Sequence, residues 1–340
     1  MRSKAIDKMI IWLVTLLWLL MFIPSYSDRA SAKEEKAGRE TPVKQELMFF
    51  SGSPSAGAAW YLLSVGITQI FERSIPGLKT SLIPGGAGGG PISVGEGRSQ
   101  AGLVNLGPLL DAYEGLPPYK KPYGNLMLSA NLYDHFFQII VLKNSGINKI
   151  TDLKGKIVSP GIKGQYSEFW FKKLLKVYNI DPDKDIKIVS LGFGDTVSAM
   201  KDGAVDCLAT AASIPLPAVE DLAMARKINF LNIDEVELKK FCETVNGFQP
   251  TVYPASKMPY KGEYNDTRTA CVPLSVMVRT DLPNDLVYKI TKALAENLKD
   301  LEQVSPPMRG FEPKNLAREI SPKAKFHPGA EKYYKERGWR

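Results

Sequence analysis

The sequence predicts an α/β protein built as two lobes around a hinged cleft, and three observations carry that expectation. Short apolar runs alternate with amphipathic stretches from Glu46 onward, the pattern of βαβ units. After Asn131 the alternation starts afresh, giving a second series. The late strand and helices beyond Val272 are too few for a third domain, so the chain is expected to return to the first lobe and cross between lobes twice. At 340 residues, 44% hydrophobic and 24% charged, the composition is that of a globular chain with roughly two domains of about 150 residues. Collagen, coiled coil and wholesale disorder are excluded. The expected boundaries are 46–132 plus 275–340 for the first lobe and 133–274 for the second.

The N-terminus reads as an address. Arg2, Lys4 and Lys8 precede an apolar run from Ile10 to Ile23 in which only Thr15 is polar. Fourteen residues at about 1.5 Å each make roughly 21 Å of helix, short of the roughly 30 Å hydrocarbon core of a bilayer. Pro24 stops the run and Ala30-Ser31-Ala32 supplies an A-x-A site, so residues 1–32 are expected to be a signal peptide cleaved after Ala32. An uncleaved anchor is the alternative; either places the rest outside the cytoplasm. Residues 33–45 are charged and lack periodicity, the marks of a flexible leader.

In the first series Leu47 to Ser51 is a short strand. Ala58 to Phe71 is a helix, because Leu62, Val65, Ile67 and Ile70 approximate one apolar face. Leu78 to Ile83 is the next strand, and Gly88 to Gly97 and Ala101 to Leu106 continue the alternation, so a parallel sheet faced by helices is expected. In the second series Phe136 to Leu142 and Lys156 to Ser159 are strands. Gln165 to Tyr178 is a helix with Trp170, Leu174, Val177 and Tyr178 as its buried stripe. Ile186 to Ser190, Val205 to Ala209 and Ile228 to Leu231 are strands separated by helices at Thr196 to Lys201 and Leu216 to Arg226. Val272 to Val278 is a late strand; Leu286 to Leu301 is strongly periodic, and Ala330 to Arg337 is a helix closed by Gly338.

Three loops join a strand to a helix, where backbone N–H groups and the positive helix end favour an anion or polar ligand. The first, Gly52 to Gly57, adds the hydroxyls of Ser53 and Ser55; a tight turn is the competing reading. The second, Gly85-Gly86-Ala87-Gly88-Gly89-Gly90, invites close approach by a ligand or another chain segment, or is merely flexible. Pro91 breaks its G-x-G-x-x-G register, so the dinucleotide fingerprint fails. The third, Ser159 to Tyr166, contains Lys163, placed either against an anionic ligand or in solvent.

Other chemistries find little support. Three cysteines and two histidines are too scattered for zinc, and the three thiols allow one disulfide or none. Asp181 to Asp185 begins like a calcium loop, yet Ile186 stands where glycine is required. With His135 opening a strand and His327 beside Pro328, no Ser/His/Asp or Cys/His set emerges. The excess of 44 basic over 36 acidic residues is spread along the chain, with no nucleic-acid footprint.

Several segments in this order resemble the TAXI family, the TRAP-associated extracytoplasmic immunogenic solute-binding proteins. They are Trp60-Tyr61, the run Pro84 to Gly90, Gly97 to Leu103, Asp152-Leu153-Lys154-Gly155-Lys156-Ile157-Val158, Pro283 to Tyr288, and His327-Pro328-Gly329-Ala330 through Tyr333-Tyr334. The resemblance spans nearly the whole chain beyond the address, and the last segment is its most specific motif. It implies a two-lobed periplasmic-binding-protein-like (type II) fold. Such a protein would capture a small organic solute, a carboxylate or amino acid, and deliver it to a TRAP membrane permease, without cofactor, metal or enzymatic step.

The site it implies comprises Ser53, Ser55, Trp60, Tyr61, Gly86, Ala87, Gly88, Gly90, Asn105, Gly161, Lys163, Gly164, Gln165, Tyr166 and Ser213 with the residues up to Pro215. Three departures bear on specificity: an extra residue before Trp60, Gly90 where asparagine is common, and Gln165-Tyr166 where Ser-Gly is usual. Arg98 and Arg268 are carboxylate-clamp candidates by residue type alone. A sensor subunit signalling through a membrane kinase, or a hydrolase or transferase using the same cleft, are the rival functions.

Overall fold

The computed structural model describes residues 45–53, 58–86 and 88–340. The expected signal peptide and the leader up to residue 44 lie outside those residues, as do Ser55 and Ala87. Among the described residues ten strands form one mixed sheet. The first half contributes β1 (Gln45–Phe50), α1 (Ala59–Ser74), β2 (Leu78–Ile83), α2 (Gly89–Gly95), β3 (Ala101–Asn105) and α3 (Leu106–Glu114). Then come β4 (Leu126–Leu142), β5 (Ile157–Ser159), α4 (Tyr166–Val177), β6 (Lys187–Ile188), α5 (Phe193–Lys201), β7 (Cys207–Ala212), α6 (Pro217–Ala225) and β8 (Ile228–Phe230). The chain closes with α7 (Glu235–Thr244), β9 (Gln249–Tyr253), β10 (Thr267–Arg279), α8 (Asn284–Glu296), the single turn α9 (Leu298–Leu301) and α10 (Pro328–Glu336).

The sheet runs β2-β1-β3-β10-β4-β7-β5-β6, with β8 added to β4 and β9 to β10. The parallel pairing expected of the first series is present, and the sheet as a whole is mixed. β1 is parallel to β2 and β3, and β5 to β6 and β7, but β10 runs antiparallel to β3, β4 and β9, and β4 antiparallel to β7 and β8. Two strands account for this, because β4 and β10 are far longer than their apolar runs suggest. β10 pairs with β3 over Leu274–Val278 and with β9 over Thr267–Cys271, so it belongs to both ends of the sheet. β4 pairs with β10 through Leu126–Phe136 and with β7 through Phe136–Val141. Their mutual register shifts between Pro273 and Ser275 and again between Val276 and Met277. Proline lacks the ladder N–H, and such irregularities bend the strands locally.

Burial on both faces explains why the strands read as continuous apolar runs. In β4 and β7, Phe137, Ile139, Val141, Cys207 and Ala209 join one core cluster, while the intervening Ile140, Leu208 and Ala212 join a second with Val219, Leu222 and Phe230. That alternation is the period of two of a pleated strand. The first cluster continues through Leu47, Phe49, Ile67, Phe71, Val276, Leu294 and Tyr334. Asn297 (φ −126°) interrupts the periodic stretch expected from Leu286 to Leu301, separating α8 from α9.

The most specific family-like motif is architectural. His327 caps α10 by accepting the Gly329 N–H at Nδ1 (3.2 Å), Pro328 occupies the first turn, and a Cβ on Gly329 would lie 2.2 Å from the Asn284 carbonyl oxygen. Tyr333 and Tyr334 are buried, and Gly338 (φ +66°) ends the helix. Cys207, Cys242 and Cys271 are free thiols; burial raises all three, Cys242 to about 12 and Cys271 to about 11. No helix of the described residues is long and apolar enough to cross a membrane.

Candidate functional site

Five helices begin at the wall of one cavity of about 340 Å³. Ala59 and Trp60 open α1, Asn105 precedes α3, Tyr166 and Ser167 open α4, Phe193 opens α5, and Pro217 and Ala218 open α6. This follows from topology, because strands β1, β3 and β7 all run toward the cavity and each feeds a helix there. None of the five helices is capped by the side chain of its preceding residue. Trp60, Trp170, Phe193, Leu216 and Pro217 make the wall predominantly apolar, and no charged side chain lines it among the described residues. The sequence supplies none at 54–57 or 87 either.

An aromatic pair forms part of the wall. Trp60 stacks on His135 with ring centroids 5.4 Å apart and planes 27° apart, and Trp60 Nε1–H donates to His135 Nε2 at 3.4 Å. With Nε2 as acceptor, the neutral imidazole carries its proton on Nδ1. Burial lowers the His135 pKa to about 3, so the ring is neutral at physiological pH, and its Nδ1 is buried without a partner. Trp170 Nε1 and Asn105 Oδ1 are likewise buried and unpartnered. Gly52 shapes this wall: its φ is +71°, and a Cβ there would lie 2.2 Å from Trp60 Cε3.

Of the expected site residues, Ser53, Trp60, Asn105, Gln165, Tyr166 and Ser213 meet at this cavity. Gly86, Gly88 and Gly164 line a second cavity, of about 460 Å³, which shares Gln165 and Tyr166 with the first. Tyr166 stands between the two: a Cβ on Gly88 would lie 2.9 Å from Tyr166 Cε2, so the glycine run meets the second-series loop through that ring. Gly90 is buried under the loop, where a Cβ would fall 2.8 Å from Met277 Cε; it serves packing. Tyr61 is half-buried and, with Gly161 and the exposed Lys163, is absent from both linings, which leaves Lys163 in solvent. Arg98 lines the second cavity and pairs with Glu96 at 3.4 Å; Arg268 lies 4.0 Å from Glu235 and lines neither. Ser55 and Ala87 lie outside the described residues.

His135, Ser167, Trp170, Phe193 and Leu216 to Ala218 were not anticipated at the site. The signal for His135 was the length of β4: a strand beginning at Leu126 places His135 inside the sheet and not at its start. Trp170 is on the buried stripe of α4, as expected, but near enough to the helix start to face the cavity as well. Among the described residues no three His, Cys, Asp or Glu gather as a metal site.

Comparison with known proteins agrees with this architecture. A periplasmic transporter of known structure superposes with a TM-score of 0.53 at 15% identity, covering 89% of this chain and 99% of its own. A protein of Bordetella bronchiseptica RB50 gives 0.49 at 12% identity over 87% and 98%, and a TctC solute binding protein from Polaromonas gives 0.45 at 14% over 79% and 88%. The fold is α/β and periplasmic-binding-protein-like, with a mixed sheet whose first-series strands are parallel as expected. A sequence model of the NMT1-like family matches residues 52–338, and by that match the chain belongs to the NMT1-like family.

Proposed function

We propose that this protein is an extracytoplasmic solute-binding receptor that captures a small organic solute in the cavity and presents it to a membrane permease. One observation carries the reading: a single apolar cavity is walled by Ser53, Trp60 and Asn105 from the first series and by Gln165, Tyr166 and Ser213 from the second. A ligand seated there touches both halves. The two lobes are 46–132 with 275–340, and 133–274; the chain passes between them within β4 and β10, near their register shifts. Those strands are the hinge, and ligand shifts the population toward the closed form that docks on the permease. The TAXI resemblance supports a TRAP permease as the partner and periplasmic export by the segment 1–32.

Binding without turnover fits the side chains present. Trp60 engages the Nε2 of the one imidazole in the cavity wall among the described residues. The Ser213 hydroxyl donates to the Pro215 carbonyl (3.3 Å), and the Ser167 hydroxyl lies 3.3 Å from that of Thr210. Neither of these two serine hydroxyls is thereby paired with a base.

Native mass spectrometry of the protein purified from its host, followed by thermal-shift screening, tests the reading. A copurifying solute is expected to raise Tm, and to raise it much less in Trp60→Ala, because a ligand that binds only the native state stabilises it by mass action. No copurified solute and no stabilising compound in a broad panel would overturn the receptor reading.

A further inference from the structure

We propose that the Tyr166 ring is a partition that sets the length of solute this protein accepts, closing the cavity of about 340 Å³ off from the apolar compartment beside it. The inference rests on the receptor reading and names the residue that limits the ligand's reach. Among the described residues only Gln165 and Tyr166 line both cavities. Gln165 folds back over its own loop, its Oε1 3.3 Å from where a Cβ on Gly161 would lie. The ring is therefore the divider.

Local structure fixes the ring in that place. Gly161 (φ +100°) and Gly164 (φ +81°) turn the loop through left-handed backbone, and Glu168 accepts the Gly164 N–H at 2.8 Å, so Tyr166 enters α4 as its first residue on a restrained stem. The ring packs on Trp170 and Phe169, with centroids 5.3 and 6.1 Å away, and meets the glycine run, where a Cβ on Gly88 would lie 2.9 Å from its Cε2. Tyr166 is 6% exposed, and its buried hydroxyl completes no hydrogen bond among the described residues, so ring packing and not the phenol holds it. A ring packed in this way resists displacement, because forcing extra atoms into filled space drives its neighbours off their rotamers.

Beyond the ring there is room for an apolar chain. The second cavity, of about 460 Å³, is walled by Phe50, Ile83, Pro84, Ile92 and Pro118 along with the glycine run. A solute whose tail stops short of Tyr166 gains from each methylene it buries, whereas a longer tail meets the ring and loses by crowding it. Without the ring the same tail passes into the second compartment and goes on gaining.

Titration calorimetry on the exported protein, with straight-chain alkanoates and alkanamides of about four to ten carbons, reads that length whichever head group is bound. In the wild type each methylene that fits is expected to tighten binding about fourfold, up to one chain length beyond which affinity falls. Tyr166→Ala is expected to remove that maximum, so that the probe two methylenes past the wild-type limit binds at least about tenfold tighter than it does to the wild type. Tyr166→Phe keeps the ring and is expected to keep the limit. Gly86 lines the second cavity, lies outside the left-handed backbone region and has open space where a Cβ would stand. Gly86→Leu added to Tyr166→Ala is therefore expected to restore a limit, which it would not do had the alanine merely loosened the fold. If wild-type affinity rises through the whole series, or if Tyr166→Ala keeps the wild-type limit, the proposal is overturned and the receptor reading stands. If no probe binds the wild type and the protein from its host carries no solute, both fall.

Discussion

His135 shows how one residue can govern both the cavity wall and the acid stability of the protein. Its ring is packed between Trp60 and Tyr133, with centroids at 5.4 and 5.6 Å, and Nε2 takes the Trp60 N–H. Burial lowers its pKa to about 3, against an ordinary value of 6.5 in the unfolded chain. Between those values the unfolded state binds the proton and the folded state does not. The stabilisation is therefore complete above pH 6.5 and is lost as pH falls toward 3, by up to about 1.4 kcal/mol per pH unit. Phenylalanine keeps the stacked ring and removes the titration. Urea midpoints at pH 7, 5.5 and 4.5 are expected to fall less steeply in His135→Phe than in the wild type; parallel slopes would assign the acid loss to other groups. Sequence reasoning set this histidine aside because it sought a catalytic partner in the chain pattern, whereas the residue's role comes from a tryptophan 75 positions away.

Helices and strands were legible where a local period defines them, and obscure where a contact across the sheet does. The period of α1, the run of β2 and the stripe of α4 follow from side chains within one turn or one strand. The full length of β4 does not: Asn131, Asp134 and His135 break its apolar run. In the structure Asn131 Oδ1 accepts from Ser275 at 2.7 Å and Asp134 pairs with Arg318. Those partners are distant in sequence, so the polar residues read as a loop. Helices α3 and α7 escaped notice for a similar reason. α3 is short and buried along most of its length, and only tertiary packing reveals its seam with the α7–β9 turn. At that seam a Cβ on Gly247 (φ +82°) would lie 2.4 Å from the Gly107 nitrogen, and Asn246 Nδ2 donates to Asp111 Oδ1 at 2.8 Å. Burial raises the Asp111 pKa, and the Asn246 hydrogen bond works against that rise. Asn246→Ala is thus expected to raise it further and to cost about 1–3 kcal/mol near neutral pH, with less loss where the carboxyl is protonated. Denaturant titrations at two pH values check this; equal loss at both would mean that packing and not the charge carries the effect.

At the scale of the whole molecule, the parallel pairing expected of the first series holds for β1, β2 and β3 and ends at β10 and β4. Two long strands run through both ends of the sheet, and they are the antiparallel members. Apolar patterning reports burial but not direction, so it could not show that β4 and β10 oppose their neighbours. If those strands are the hinge, the halves should respond to a wedge placed between the glycine run and Tyr166. Gly88 suits the test because its backbone (φ −70°, ψ −20°) accepts any residue, while a Cβ there would lie 2.9 Å from Tyr166 Cε2. Gly88→Val therefore adds bulk against an aromatic ring without straining its own chain. The wedge would hold the halves apart, raise the radius of gyration in solution scattering, and weaken solute binding at least about tenfold by depleting the closed form. Tyr166 belongs to the first core cluster, so Tm without solute is measured alongside to separate lost packing from lost closure. An unchanged radius together with weakened binding would mean that Tyr166 alone gives way, and that the cavity is formed within a rigid body with no closing hinge.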